Sequence, residues 1–200
     1  SGRALAANRA DVIILEDGST WGVYTDDSQL RFGVHGASAL GPGRFTASLV
    51  EYSYSDPVAP RVDYTGTGEP RSNIRATAAA GRELLLQYDL NYERAASLTE
   101  LAGRYALDQG TVLAIGPQGQ VQWVDVNGCE MSGTAGPRPS GRNVFDLSLV
   151  YRGAQCRHGD GTELRGVAYL DATVQPPRLI SLALFGDRRL GFVSRAARLQ

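Results

Sequence analysis

The chain has 200 residues, 42% of them hydrophobic and 20% charged, with a formal net charge of −1. It is long enough to bury one large core or two small ones, and it lacks the basic excess that a nucleic-acid partner requires. All 20 basic residues are arginine, so mechanisms that need a lysine, as Schiff base or as general base, are excluded.

In chain order, residues 1–10 read as a loose or short helical lead-in, with Ser1-Gly2 as a cloning remnant and a leader or lipid anchor removed ahead of it. Residues 11–15 and 19–24 form strands about the turn Glu16-Asp17-Gly18. Leu30, Phe32 and Val34 then alternate with polar or small neighbours, the period of two of a half-buried strand. Residues 36–43 read as a glycine-rich loop. Residues 45–54 alternate through Phe45, Ala47 and Leu49 until Pro57 and Pro60 close the segment. Segments 61–67, 73–78 and 83–90 continue the pattern. Ser97, with Glu100 three residues on, is a capping box for a short helix. Eight further strands are expected, at 105–107, 111–115, 121–126, 129–134, 143–151, 164–171, 179–185 and 190–196. Asn127-Gly128 between two of them is a type I′ hairpin signal.

Turns this frequent, with almost no helix, predict an all-β chain of antiparallel meanders forming two related units, the second an eight-stranded barrel or flattened barrel. The expected division is 11–92, a helical connector 93–103, and 104–200. The halves echo one another: Tyr24, Phe32 and Val34 match Tyr105, Leu113 and Ile115 in spacing, and Tyr64-Thr65-Gly66-Thr67 matches Met131-Ser132-Gly133-Thr134. Gly166 and Ala168 facing Phe145, Leu147 and Leu149 point to small-against-large filling of a packed interior.

Gly103-Arg104-Tyr105, Gly128-Cys129-Glu130-Met131-Ser132-Gly133, Asn143-Val144-Phe145-Asp146-Leu147 and Gly166-Val167-Ala168-Tyr169-Leu170-Asp171 give the second half its likeness. It resembles a group of uncharacterised envelope proteins of Gram-negative bacteria, often labelled hypothetical lipoproteins. In that group a Ser-Leu-x-x-Leu-Ala-Gly-x-Tyr opening leads into a barrel-like repeat with one cysteine after a turn and another after the central strand. Ser97-Leu98-Thr99-Glu100-Leu101-Ala102-Gly103-Arg104-Tyr105, with Cys129 and Cys156, fits that opening and that pair. The resemblance implies a periplasmic or outer-membrane-associated location and carries no activity.

Two cysteines with no remainder suit a single disulfide in an oxidising compartment, the alternative being two buried free thiols. Strand order favours the bridge: if 129–134 and 143–151 are antiparallel neighbours, the end of the second lies beside the start of the first, and Cys156 comes five residues after Tyr151. His35 falls opposite Leu30, Phe32 and Val34, which makes it a solvated edge residue. His158 with Asp160 sits in a turn and offers too few ligands for a metal. Asp26-Asp27 read as solvated turn residues, and the glycines at 41–43 and 66–68 as turns, because no helix follows to hold a phosphate. Tyr52 and Tyr54, opposite Phe45 and Leu49, and Tyr64 are contact residues for a partner if exposed, or a cover for the connector if not. The functional expectation is a non-enzymatic extracytoplasmic protein that binds a protein or envelope partner through strand faces and loops. It would use no cofactor, metal, nucleic acid or membrane span. The alternative is a lipocalin-like carrier of a small apolar ligand.

Overall fold

A computed structural model describes residues 9–26, 29–53, 59–107, 110–187 and 190–200. It is all-β and divides into two compact units, Ser1–Asp89 and Leu90–Gln200. The boundary lies at the front of the expected connector, which therefore belongs wholly to the second unit.

Unit 1 is a seven-stranded antiparallel meander: β1 (Arg9–Ile14), β2 (Ser19–Asp26), β3 (Gln29–Gly41), β4 (Arg44–Tyr52), β5 (Arg61–Gly68), β6 (Asn73–Thr77) and β7 (Glu83–Gln87), each paired with its neighbours in order. The sheet curls into a nearly closed barrel. Its inner face carries Phe45, Ala47, Leu49, Tyr64, Ala76 and Leu84, with Ala10, Ile14, Val62, Ile74 and Leu86 packed around them. The glycine-rich stretch 36–43 is not a loop, because β3 runs through it to Gly41 and pairs with β4 as far as Gly41↔Arg44. The strands come so close at Gly36 that a Cβ there would lie 2.0 Å from the carbonyl oxygen of Ser48, so the glycine permits the strand instead of breaking it. Likewise Gly66 lies inside β5 and not in a turn.

Unit 2 holds β8 (Gly103–Ala106), β9 (Val112–Ile115), β10 (Gln120–Val124), β11 (Glu130–Pro137), β12 (Val144–Arg152), β13 (Glu163–Asp171), β14 (Arg178–Phe185) and β15 (Leu190–Arg198). The same meander is here closed into an eight-stranded barrel by pairing of β15 with β8. Side chains from every strand fill its interior, among them Tyr105, Met131, Phe145, Leu164, Leu179 and Phe192. Phe145 stands opposite Ala168 and Leu147 opposite Gly166, the large-against-small filling that the sequence predicts. The short helix α1 (Leu98–Leu101) is capped by Ser97, whose Oγ accepts from the Glu100 amide at 3.2 Å. The Glu100 carboxylate turns instead to Arg94, 2.8 Å away. Leu101 is fully buried in the barrel core and its carbonyl accepts from the Tyr105 hydroxyl at 2.6 Å, so the connector closes one end of the barrel.

The β10–β11 turn is not the two-residue type I′ turn. Asp125 accepts from the amides of Asn127 and Cys129 at 2.7 and 2.8 Å, Gly128 donates to the Asp125 carbonyl, and only Gly128 takes positive φ. The aspartate's local hydrogen bonds end β10 at Val124 and select a longer turn.

The two units repeat one another in fine detail, though not at the matches read from the sequence. After β1, the Gly18 amide donates to Leu15 and the Gly18 carbonyl accepts from Ser38; after β9, the Gly119 amide donates to Gly116 and its carbonyl accepts from Ala135. A Cβ on Gly133 of β11 would lie 2.0 Å from the Ser148 carbonyl oxygen, as one on Gly36 of β3 would from that of Ser48. Phe45 stands opposite Gly66 as Phe145 stands opposite Ala168. Strands β1–β5 therefore correspond to β9–β13, and the sequence match of Tyr24 with Tyr105 sets β2 on β8, two strands out of step. Spacing alone misleads here because all the strands share the same period of two.

Candidate functional site

The inward stripe of β4 reads Phe45, Ala47, Leu49, Glu51, an acid at the end of an apolar row. Pairing carries that stripe across to Val34 on β3, which is opposite Glu51, and to Tyr64 on β5, which is opposite Ala47. Arg82, just ahead of β7, reaches back over the interior to Glu51 through two bonds, Nη2 to Oε1 at 2.5 Å and Nη1 to Oε2 at 3.1 Å. The Glu51 side chain keeps only 11% of its surface exposed and Arg82 29%. The two-pronged geometry suits a guanidinium and fixes β4 to the start of β7.

Two tyrosines complete the cluster. Tyr24 on β2 packs edge-to-face on Phe32, with ring centres 4.7 Å apart. Its buried hydroxyl has no hydrogen-bond partner among the described residues; Tyr64 lies near enough to influence its ionisation but not in bonding geometry. Burial raises the Tyr24 phenol far above its ordinary range, reinforced by Tyr64 and by the Glu51 carboxylate. Burial also raises Tyr64, against the opposing pull of Arg82. The hydrogen bonds that Arg82 donates to Glu51 raise its own pKa, so the guanidinium stays charged. The arrangement offers hydroxyl and guanidinium donors and a carboxylate already engaged by its partner. It can hold a polar group at the end of the barrel, and it contains no nucleophile with an adjoining base.

The corresponding end of unit 2 is built differently. Where Glu51 stands in unit 1, β12 has Tyr151, whose hydroxyl donates to the Gly191 carbonyl at 2.9 Å. Cys129 and Cys156 are joined in a disulfide, with Cα atoms 4.7 Å apart, as the strand order predicts. Neither sulfur is left as a thiolate, so the pair cannot serve a zinc ion with His158. Asp160 accepts from the Gly153 amide at 3.0 Å, holding the loop instead of pairing with His158. His158 lies against Phe185, ring centres 4.7 Å apart, on the wall of an open hollow of about 440 Å³ lined also by Thr162, Glu163 and Asp187.

Of the expected contact residues, Tyr52 is 4% exposed and Tyr64 3%, so neither is a surface residue as the protein stands; Tyr54 lies outside the described residues. Tyr52 does face away from Phe45 and Leu49, opposite Gly33, which in turn faces Val23. Trp21 and Val23 on this second face are buried as well. Alternation sorts residues between faces but does not say which face is wet. His35 is half-buried against Trp21, ring centres 4.1 Å apart, and is not a solvated edge residue. The residues missed by sequence reading, Tyr24, Glu51 and Arg82, left one signal: Glu51 has the parity of the buried stripe.

No protein-family model matches this chain. Neither does any curated protein or solved structure. Its chemistry therefore rests on its own residues. No described helix is long and apolar enough to cross a membrane.

Proposed function

We propose that this is a non-enzymatic extracytoplasmic protein, periplasmic or envelope-associated, that binds another macromolecule through exposed strand faces and loops. The observation that carries the reading is the β10–β11 hairpin. Val124 and Val126 are 51% and 67% exposed beside a turn that the Cys129–Cys156 bridge fixes at its base. Apolar side chains held in one place lose little entropy on docking, which is the condition for a contact to contribute affinity. A disulfide is stable in an oxidising compartment, which supports the location, and the resemblance of the second half to Gram-negative envelope proteins points the same way. The carrier reading needs an enclosed apolar cavity, and the unit 2 barrel is filled with its own side chains, so the surface reading ranks above it.

Site-specific photocrosslinking tests the proposal. A benzophenone side chain at Val126, in the oxidised protein within its native cells, should give one discrete adduct that disappears with Val124→Glu. The same probe at Arg165, exposed on β13, should give none. Equal labelling from both positions, or none from either, would count against a partner at this hairpin.

A further inference from the structure

Strand β7 is the last of unit 1, and among the described residues it pairs only with β6, whereas β15, which holds the same place in the meander of unit 2, has β14 on one side and β8 on the other. The ladder determines which of its backbone groups face that edge. The Ala78 amide donates to the Arg82 carbonyl at 2.9 Å and the Tyr88 amide to the Ser72 carbonyl at 2.7 Å, in step with the pairs Ala76↔Leu84 and Ile74↔Leu86. Hydrogen-bonded pairs alternate along an antiparallel ladder, so Leu84 and Leu86 turn their amides and carbonyls to β6 while Glu83, Leu85 and Gln87 turn theirs to the edge. Leu84 is buried and Leu86 half-buried against the core, Glu83 and Gln87 are exposed, and Leu85 is 59% exposed between them. The strand carries no proline, no lysine and no bulge, the devices that keep such an edge from pairing.

The residues along this edge select what fits it. Glu83-Leu84-Leu85-Leu86-Gln87 reads nearly the same in both directions about Leu85. A second copy brought up antiparallel, about a twofold axis at Leu85, sets Leu85 of one copy opposite Leu85 of the other, Leu84 opposite Leu86 and Glu83 opposite Gln87. The edge-facing amides and carbonyls of Glu83, Leu85 and Gln87 then all find partners, and the two exposed leucines cover each other. The Glu83 carboxylate accepts from the Gln87 carboxamide, and no like charges are opposed. Sliding one strand by two residues puts Leu85 against Glu83 or Gln87 and leaves part of the edge unpaired, so the centred register is the one that satisfies every group.

We propose that β7 is a dimerisation edge, at which two copies of this chain join antiparallel through Glu83–Gln87 about a twofold axis at Leu85. Such a self-complementary contact closes on itself and ends with two chains. It is separate from the β10–β11 hairpin and does not depend on that hairpin's having a partner.

Sedimentation of the full chain with its native disulfide tests this. The parent should run at twice the 21.4 kDa of one chain. Leu85→Pro deletes an amide that β6 does not use, and Leu85→Lys sets two like charges face to face, so each should weaken the dimer by about tenfold or more while the single chain stays folded. Should Leu85→Pro fail to fold, Leu85→Lys and the following cysteine variants decide. Leu85→Cys should form a disulfide between two chains in a glutathione buffer, because hydrogen-bonded antiparallel partners stand about 5.5 Å apart at Cα. Arg75→Cys, exposed on β6 one strand farther from the edge, should not. A parent that stays monomeric up to about 100 µM, a dimer indifferent to both substitutions, or equal crosslinking from position 75 would overturn the proposal. So would slow hydrogen exchange at the Leu85 amide of a monomer, since something other than a second copy would then hold the edge.

Discussion

Replacing Cys129 and Cys156 together by alanine removes a link that spans 27 positions of sequence. In the chain-entropy model, opening a loop of that length costs about 3.6 kcal/mol at 25 °C. Alanine keeps the packing loss small, because the two sulfurs sit beside a surface turn and only their own volume is emptied. Against a total stability of about 5–15 kcal/mol the loss is large, and for a unit of this size it corresponds to a drop in Tm of roughly 10–15 °C. Urea titration followed by tryptophan fluorescence, with Trp123 reporting on unit 2 from its contact with Phe192, should show the midpoint fall and the slope steepen, because the unbridged chain exposes more surface when unfolded. A loss below about 1 kcal/mol would refute the reasoning. It would mean that the unbridged chain stays compact around this loop when unfolded, so that the bridge removes little entropy from it.

Two tyrosines in similar barrels should respond in opposite directions. Tyr24→Phe deletes a buried hydroxyl without a partner and should stabilise unit 1 by about 1 kcal/mol, whereas Tyr105→Phe breaks bonds to the Leu101 carbonyl and Arg198 and should cost about 1–2 kcal/mol. A destabilised Tyr24→Phe in urea titration would reveal a partner for that hydroxyl. Gly133→Ala drives a Cβ to 2.0 Å from the Ser148 carbonyl and should cost about 3 kcal/mol, while Gly136→Ala, three residues along the same strand with open space around it, should melt near the parent temperature; equal losses would contradict the close approach. Tyr24, Tyr64 and Tyr105 all have raised pKa values, chiefly from burial. Each keeps its proton in the folded state after the unfolded chain has lost it, so this stability is complete below about pH 10 and falls as the pH rises further. A urea midpoint unchanged from pH 9 to pH 12 would show that these phenols ionise freely while folded.

The period of two in Phe45-Thr46-Ala47-Ser48-Leu49 and in Phe145-Asp146-Leu147-Ser148-Leu149, with glycines and prolines between, was enough to place nearly every strand, and strands in such close succession pair as a meander. Because an antiparallel neighbour must return beside its predecessor, the same order placed Cys156 next to Cys129. Those conclusions need only local geometry and chain connectivity, which the residues carry themselves. What the sequence by itself could not decide is where separate strands meet. Gly36 reads as loop until Ser48 is seen against it, and Tyr52 reads as exposed contact or buried cover alike until its face of the sheet is found buried. Arg82 joins Glu51 across thirty-one positions of chain, and no pattern in either segment announces the other. Alternation fixes which side of a strand a residue takes, but burial and pairing depend on what the rest of the chain brings to that side, so the closed barrel of unit 2, the nearly closed barrel of unit 1 and the Glu51–Arg82 clamp were decided by tertiary structure.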